Sequence, residues 1–207
     1  MLTWLSRPLN LSRRDWVAIL LVGVLTPLID SRVEVPLVQF FYNIHNTINV
    51  FDYTGGPLNS DLLVAWEEYG GVLAAYIVRK PGAATLAVTV NGLGQFLIDG
   101  FQGPHHLVYG IAGLGADLAF AAFRYRRFDI PACAFAGVAS QLFWIPVTYA
   151  YHAAYRMPQS YIAVDLVTRA VGGALGDGLM GAAIGFVILW VSARAGTSRN
   201  QEGSKDK

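Results

Sequence analysis

The sequence predicts an all-α integral membrane protein with six transmembrane helices and both termini in the cytoplasm. The 207-residue chain has a mean hydropathy of +0.42 and only 14% charged residues, whereas a typical soluble domain carries about 25%. Its apolar stretches approach or exceed the roughly 20 residues that a helix needs to cross a bilayer. Its cationic residues are concentrated in bands between those stretches, as expected for loops on one side of a membrane.

The bands of Lys and Arg predict the orientation of the chain. Cytoplasmic loops of membrane proteins are enriched in these residues. Of the 15 cationic residues, only Arg32, Arg156 and Arg169 fall outside the bands. The bands are therefore predicted to be cytoplasmic, and they comprise Arg7/Arg13/Arg14, Arg79/Lys80, Arg124/Arg126/Arg127, Arg194 and Arg199/Lys205/Lys207.

The predicted spans follow one another along the chain. The first begins at Trp16 and either ends near Asp30 or continues to about Tyr42. The other five are predicted at residues 62–78, 83–101, 105–123, 130–151 and 163–193. Pro146 is expected to kink the fifth span. The chain is thus divided into a cytoplasmic segment at 1–15, a membrane domain at 16–194 and a flexible cytoplasmic tail at 195–207.

Composition and motifs argue against several classes of function. The chain contains no Walker A, paired CxxC or GxSxG pattern, so neither enzymatic activity nor ATP hydrolysis is predicted. The single Cys133 rules out a disulfide framework. A net charge of +1 gives no reason to expect a nucleic-acid partner. No cofactor is predicted.

Acidic and aromatic residues gather at the predicted outer ends of the spans. Carboxylates within a membrane span are costly and usually face a cavity or a partner. An acidic, aromatic pocket suits an organic cation, because rings and carboxylates both attract positive charge. The candidate substrate-binding residues are Trp66, Glu67, Glu68, Gln95, Asp99, His105, Tyr109, Trp144 and Tyr149.

Alternative interpretations of these outer residues stay open. The aromatic residues also fit an interfacial belt, which membrane proteins have whatever their function. A metal-handling protein could use the outer histidines, although their spacing matches no metal motif. A structural subunit without a ligand is the third alternative. The outer histidines are His45, His105, His106 and His152.

Two inner aspartates and one stripe of small residues invite further predictions. Asp117 could pair with Arg124 or Arg126, whereas Asp177 is expected to make a polar contact between helices. Small residues at a spacing of four allow close helix packing, either within the chain or against a partner membrane protein. The stripe comprises Ala174, Gly178 and Ala182.

Two stretches carry a resemblance to a known family. GVLAAYIVRKPGAA at 71–84 and GLGADLAFAAFRYRR at 113–127 resemble the signature stretches of the YkoE family. The last span, AVGGALGDGLMGAAIGFVILWVSARA at 170–195, resembles that family's Gly/Ala-rich final helix. Family members are substrate-binding S components of energy-coupling-factor (ECF) vitamin transporters, which belong to the ABC type and are associated with thiamin or its hydroxymethylpyrimidine precursor.

The resemblance implies a compact six-helix protein of the plasma membrane that binds a small cationic vitamin from outside. Its implied partners are a transmembrane coupling (T) subunit and two cytoplasmic ATP-binding-cassette ATPases, which supply the energy. We expect the inner loops and the small-residue stripe to form the partner interface. The alternative for the basic residues of the loops is that they only determine the topology and attract anionic lipid. The predicted interface residues are Arg79, Lys80, Arg124, Arg126, Arg127, Ala174, Gly178 and Ala182.

Overall fold

The computed structural model describes residues 10–29, 69–98, 104–152 and 159–202. These residues are almost entirely helical, and no strand occurs among them. In chain order the elements are α1 (13–29), α2 (Tyr69–Val78), α3 (Ala83–Ile98), a short 3-10 helix (Pro104–Val108), α4 (Gly110–Ala122), α5 (Ile130–His152), α6 (Gln159–Gly172), a π-helical segment (Gly173–Met180) and α7 (Gly181–Glu202).

The later helices follow the predicted spans closely. The fifth predicted span coincides with α5, which contains Pro146. The sixth falls inside the continuous helix formed by α6, the π-helical segment and α7, which extends to Glu202, beyond the predicted domain boundary at 194. Among the described residues, Ile130–Ala150 and Ile162–Ala195 are long and apolar enough to cross a membrane, whereas α2 and α3 are apolar but shorter.

The distribution of side chains differs from that of a soluble protein. Much of the buried apolar core consists of alanines and valines, and it is accompanied by buried polar residues such as Gln141 and Asp177. Large apolar residues lie on the surface instead, including Ile130, which is 70% exposed, and Val167. Small residues inside and large apolar residues outside are typical of helices that pack together within lipid.

The π-helical segment packs very closely on α5. A Cβ atom at Gly178 would lie 2.6 Å from the carbonyl oxygen of Cys133, so only glycine fits there without movement. Ala182 packs against an apolar cluster that contains Val72 and Ala75. Two members of the small-residue stripe thus take part in packing within the chain. A partner role for the stripe stays a prediction.

Three of the basic bands meet at one end of the molecule. The Lys80 ammonium donates hydrogen bonds to the backbone oxygen of Asn10 at 3.0 Å and to the Asp15 carboxylate at 2.7 Å. The Arg79 guanidinium lies 5.3 Å from the centre of the Phe128 ring, which joins the α2–α3 turn to the α4–α5 loop. We call this end, defined by Arg79, Lys80, Arg124, Arg126 and Arg127, the basic end.

The last helix directs a fourth band towards the basic end. Gly181 contacts the start of α2 at Tyr69, and Gly185 contacts Tyr76, two residues before α2 ends. α7 is therefore parallel to α2, and Arg194 lies further along in the same direction. The opposite end, defined by Gln95, His105, Tyr109, Trp144 and Tyr149, is called the aromatic end below.

Candidate ligand-binding site

The inner face of α3 supplies a buried polar side chain to the aromatic end. Val88, Asn91 and Gln95 recur at intervals of three and four residues, which places them on one face of a helix, and all three are buried. The Gln95 side-chain amide, in a residue only 8% exposed, makes no hydrogen bond in the described part of the chain. Its amide atoms are not among the fully enclosed polar atoms of the described residues, so the amide keeps some accessible surface at which another molecule can hydrogen-bond with it. Gln95 is therefore a strong candidate for ligand contact.

An aromatic cluster packs beside this face. The rings of Tyr109 and Trp144 meet edge to face, with centroids 4.7 Å apart and planes at 82°. Both residues are buried in one apolar cluster with Val88 of α3. The His105 ring lies 6.2 Å from the Tyr109 ring and 6.5 Å from the Trp144 ring. Three predicted substrate-binding residues are thus brought together.

A glycine makes this close arrangement possible. A Cβ atom at Gly92 of α3 would lie 2.7 Å from the Cβ of Tyr109, so a larger residue would push the 3-10 helix away from α3. His106, which the binding prediction did not include, stacks near His105 at 4.2 Å between ring centroids. The adjacent pair His105-His106 was visible in the sequence, but its contact with Tyr109 depends on the 3-10 helix.

Tyr149 occupies a different part of the aromatic end. It lies five residues after Trp144 and so about 140° further round the α5 helix. Its hydroxyl donates a 2.8 Å hydrogen bond to Asp165 Oδ2 on α6. Asp165 Oδ1 accepts a 3.0 Å hydrogen bond from Nε of Arg169, and each of these two side chains is only 2% exposed.

Sequence reasoning missed the role of Arg169, which it treated only as a cation outside the bands. The signal was present in the sequence, because Asp165 and Arg169 are four residues apart within an apolar stretch. Opposite charges at that spacing lie side by side on a helix. Charged side chains are costly inside a membrane span, so such a pair is expected only where its members neutralise each other or serve a function.

A second polar contact lies deeper between the same helices. Gln141 Nε2 donates a 3.1 Å hydrogen bond to Asp177 Oδ2 in the π-helical segment, and both residues are fully buried. The prediction that Asp177 makes a polar contact between helices is confirmed. Gln141 was not singled out from the sequence. Within the described ranges, no group of three or more His, Cys, Asp or Glu side chains could hold a metal ion.

Four of the predicted substrate-binding residues lie outside the described residues: Trp66, Glu67, Glu68 and Asp99. The site described here therefore consists of the Gln95 amide, the cluster of Tyr109, Trp144 and His105, and the neighbouring Tyr149. Its chemistry is that of aromatic faces with a few hydrogen-bonding groups, which suits a flat heterocycle.

At the basic end, Asp117 has partners other than those predicted. Its Oδ2 accepts hydrogen bonds from Thr85 N at 2.9 Å and Thr85 Oγ1 at 2.6 Å. The Tyr125 hydroxyl donates to Asp117 Oδ1 at 3.1 Å. The predicted pairing with Arg124 or Arg126 is wrong, because Thr85 and Tyr125 occupy the carboxylate and both arginines extend towards solvent. Burial and the adjacent Asp117 carboxylate raise the pKa of the Tyr125 hydroxyl.

The predicted partner-interface cations fall into two groups. Arg79, Lys80 and Arg127 are engaged within the chain: Arg79 over the Tyr76 and Phe128 rings, Lys80 with Asp15, and Arg127 with Asp129 at 2.7 Å. Hydrogen bonds from Lys80 and Arg127 lower the pKa values of Asp15 and Asp129, respectively. Arg124 and Arg126 are exposed, and in the described ranges their side chains form neither an ion pair nor a hydrogen bond.

Comparisons with known proteins agree with this fold. Residues 14–143 match a family described as "ABC-type cobalt transport system, permease component". The "Putative HMP/thiamine permease protein YkoE" of Bacillus subtilis (strain 168) is 33% identical over 139 residues, which cover 66% of this chain and 69% of that protein. A solved structure described as "Crystal structure of an S-component of ECF transporter" has a TM-score of 0.75.

The match to that structure covers 96% of this chain and 99% of the chain in the solved structure. At 21% sequence identity, this similarity shows the fold alone. All three descriptions are of transport proteins, and transport proteins of these kinds work in membranes. The chain belongs to a family of transport-system permeases that includes YkoE, has the fold of an ECF transporter S component, and is a membrane transport protein.

Proposed function

We propose that this chain is the substrate-binding subunit of an ECF-type ABC transporter that imports thiamine or a related pyrimidine or thiazole precursor. The observation that carries the proposal is the Gln95 amide, which belongs to a largely buried residue, has no hydrogen-bond partner in the described part of the chain and lies at the same end as an aromatic cluster. The 33% identity to a relative named as an HMP/thiamine permease supports the choice of substrate class.

The proposed ligand contacts divide by chemistry. Gln95 offers an amide that can donate to and accept from the edge of an aminopyrimidine. Tyr109 and Trp144 offer ring faces or edges, and His105 offers a ring nitrogen at the rim. The carboxylate that meets the ligand's positive charge is proposed to come from Glu67, Glu68 or Asp99, because cations are favoured beside carboxylates and aromatic rings.

The proposed topology has six spans with the basic end in the cytoplasm. The gathering of the basic bands at one end supports it, since cytoplasmic loops are enriched in Lys and Arg. Both termini would then be cytoplasmic, with 1–15 and 195–207 flanking a membrane domain at 16–194. Single cysteines at Arg124 and His105, with Cys133 replaced by serine, test this. A membrane-impermeant maleimide should label intact cells at 105 and not at 124; the reverse pattern would contradict the orientation.

The proposed partners are a T subunit and two cytoplasmic ATPases. The basic end is their proposed docking surface, and Arg124 and Arg126 are its best candidates because they are exposed and not engaged within the described chain. Replacing both by glutamine should reduce co-purification of the partner subunits. Arg127→Gln removes a charge that is already paired with Asp129 and should therefore reduce co-purification less. Equal recovery of partners from all variants would count against the docking role.

A binding measurement tests the substrate proposal. Purified protein would be titrated with thiamine, its phosphates, hydroxymethylpyrimidine and Co²⁺, the last because the matching family's description names cobalt. Saturable binding of a pyrimidine compound is expected. Gln95→Met should weaken that binding about tenfold or more, whereas Leu97→Met, on the exposed face of the same helix, should leave it unchanged. Binding of Co²⁺ alone would favour the metal-handling alternative, and binding of none of these would favour a structural subunit.

A further inference from the structure

Two helices at the basic end are followed by an arginine in a backbone conformation that glycine usually supplies. Arg79 comes directly after α2 and Arg124 comes two residues after α4, with φ of 55° and 56°. Helices commonly end on a left-handed residue, which is usually glycine because a Cβ atom raises the energy of this conformation. Among the residues that the structure describes, Tyr125 is the only other non-glycine residue with a positive φ. Each arginine therefore carries a backbone cost that glycine would avoid.

The Arg79 side chain offsets this cost within the chain. Its Nε donates a 3.3 Å hydrogen bond to the backbone oxygen of Tyr76. Its guanidinium lies 5.6 Å from the centre of the Tyr76 ring and 5.3 Å from the centre of the Phe128 ring. A guanidinium is attracted to the face of an aromatic ring. The left-handed conformation of Arg79 is thus accompanied by contacts that stabilise the chain itself.

The Arg124 side chain has no such contacts. It is exposed, and in the described ranges it forms neither an ion pair, a hydrogen bond nor a ring contact. Only the backbone is held: the Arg124 N–H donates to the Ala121 oxygen at 2.8 Å, and the Tyr125 N–H donates to the Phe120 oxygen at 2.9 Å. The Tyr125 hydroxyl also bonds to Asp117. A side chain that requires a costly backbone conformation and contacts nothing in the chain points to a function outside the chain.

We propose that Arg124 binds a carboxylate of the cytoplasmic partner subunits, and that it occupies this position although glycine there would make the chain more stable. The planar guanidinium matches a carboxylate through two parallel hydrogen bonds. The held backbone fixes where the Arg124 side chain begins, which suits a carboxylate at one place on a folded partner. A lipid headgroup diffuses and can meet an arginine in any backbone conformation. This inference rests on the proposed function, in which the basic end faces the T subunit and the ATPases.

Two properties of Arg124→Gly test the proposal, because they should change in opposite directions. Glycine adopts the left-handed conformation without the Cβ cost, so the Tm of the purified full-length chain in neutral detergent should rise by about 1–4 °C. Loss of the guanidinium should weaken association with the purified T subunit–ATPase complex about fivefold or more in the same detergent. A merely structural role would move both properties in the same direction. Thiamine affinity at the opposite end should not change.

Two further variants serve as controls. Arg13→Gln removes another exposed cation from the basic end, one whose side chain likewise has no partner in the described ranges, and should weaken association less than twofold. It measures the effect of net charge alone. Arg79→Gly gains the same backbone freedom as Arg124→Gly but loses its contacts with two aromatic rings, so its Tm should fall.

Each contrary outcome has a distinct meaning. If Arg124→Gly unfolds at or below the wild-type temperature, the arginine does not cost stability and the proposal is overturned. If its Tm rises while association stays at the wild-type level, or weakens no more than in Arg13→Gln, the carboxylate contact is overturned and the proposed function stands. A loss that appears only after phosphatidylglycerol is added shows that Arg124 meets lipid, which also overturns the proposal. If the wild-type chain does not associate with the complex at all, the proposed partners are wrong and this inference fails with them.

Discussion

Removal of the Tyr125 hydroxyl should destabilise the protein measurably, although the residue lies in a loop at the basic end. The Tyr125 hydroxyl contacts Asp117 twice, at 2.9 Å to its backbone oxygen and at 3.1 Å to Oδ1. Arg124 and Tyr125 both have left-handed backbone conformations, with φ of 56° and 54°. Such conformations cost about 1–3 kcal/mol each in non-glycine residues and persist only where surrounding contacts hold them. We infer that the Tyr125–Asp117 contact is what holds them here.

The expected magnitude follows from the chemistry of that contact. Hydrogen bonds to charged groups contribute about 1.5–3 kcal/mol in soluble proteins, whereas polar contacts within membranes average about 0.6 kcal/mol. Because Tyr125 lies at the boundary and is only partly buried, we expect Tyr125→Phe to cost about 1–2 kcal/mol. For a chain of this length that corresponds to a fall in Tm of about 2–8 °C. Thermal unfolding in detergent, followed by tryptophan fluorescence, measures it.

A matched control is available in the same region. In the described part of the chain the Tyr76 hydroxyl makes no hydrogen bond, while its ring packs against Phe128. Tyr76→Phe should therefore leave the Tm unchanged. Thr85→Val removes one hydroxyl contact to the same carboxylate and should behave like Tyr125→Phe. If Tyr125→Phe unfolds at the same temperature as Tyr76→Phe, the contact does not stabilise the loop and the reasoning is refuted.

Three further predictions concern stability. Arg169→Gln leaves the buried Asp165 carboxylate without its cation and should cost about 3–5 kcal/mol, with recovery in Asp165→Asn/Arg169→Gln; equal damage in both variants would contradict this. Gly178→Ala should cost about 1–3 kcal/mol in thermal unfolding, because the new methyl group meets the Cys133 carbonyl; a Tm equal to wild type would contradict it. Lys80 lowers the Asp15 pKa, so their contribution is present above the ordinary Asp15 value of 3.8 and is lost as pH falls through the lowered pKa. Lys80→Met should therefore reduce the free energy of unfolding at pH 7 by less than about 1 kcal/mol, and by a smaller amount at pH 2; an equal loss at both pH values would contradict the linkage.

The sequence was most informative where periodicity and charge act locally. The bounds of α5 and the continuous last helix follow from apolar length, and the basic end follows from the spacing of Arg79/Lys80 and Arg124–Arg127. It was less informative where a contact depends on how helices rotate against each other. Trp144 and Tyr149 are both aromatic and close in sequence, yet they face different neighbours because five residues turn a helix by about 140°.

The wrong prediction for Asp117 and the missed role of Arg169 have different origins. Asp117 was expected beside an arginine because opposite charges attract. Instead, Thr85 in the first turn of α3 donates two hydrogen bonds to the Asp117 carboxylate. Arg169 was treated as an outer cation because its spacing of four residues from Asp165 was overlooked. Its partner Asp165 lies one turn earlier on the same helix, and Tyr149 approaches only once α5 packs against α6.

A structure of the chain in lipid with thiamine or hydroxymethylpyrimidine bound tests the central claim most directly. We predict the heterocycle at the aromatic end, with the Gln95 amide within hydrogen-bonding distance and a face or edge against Tyr109 or Trp144. A ligand bound at the basic end, or at the aromatic end without contact to Gln95, would contradict the account.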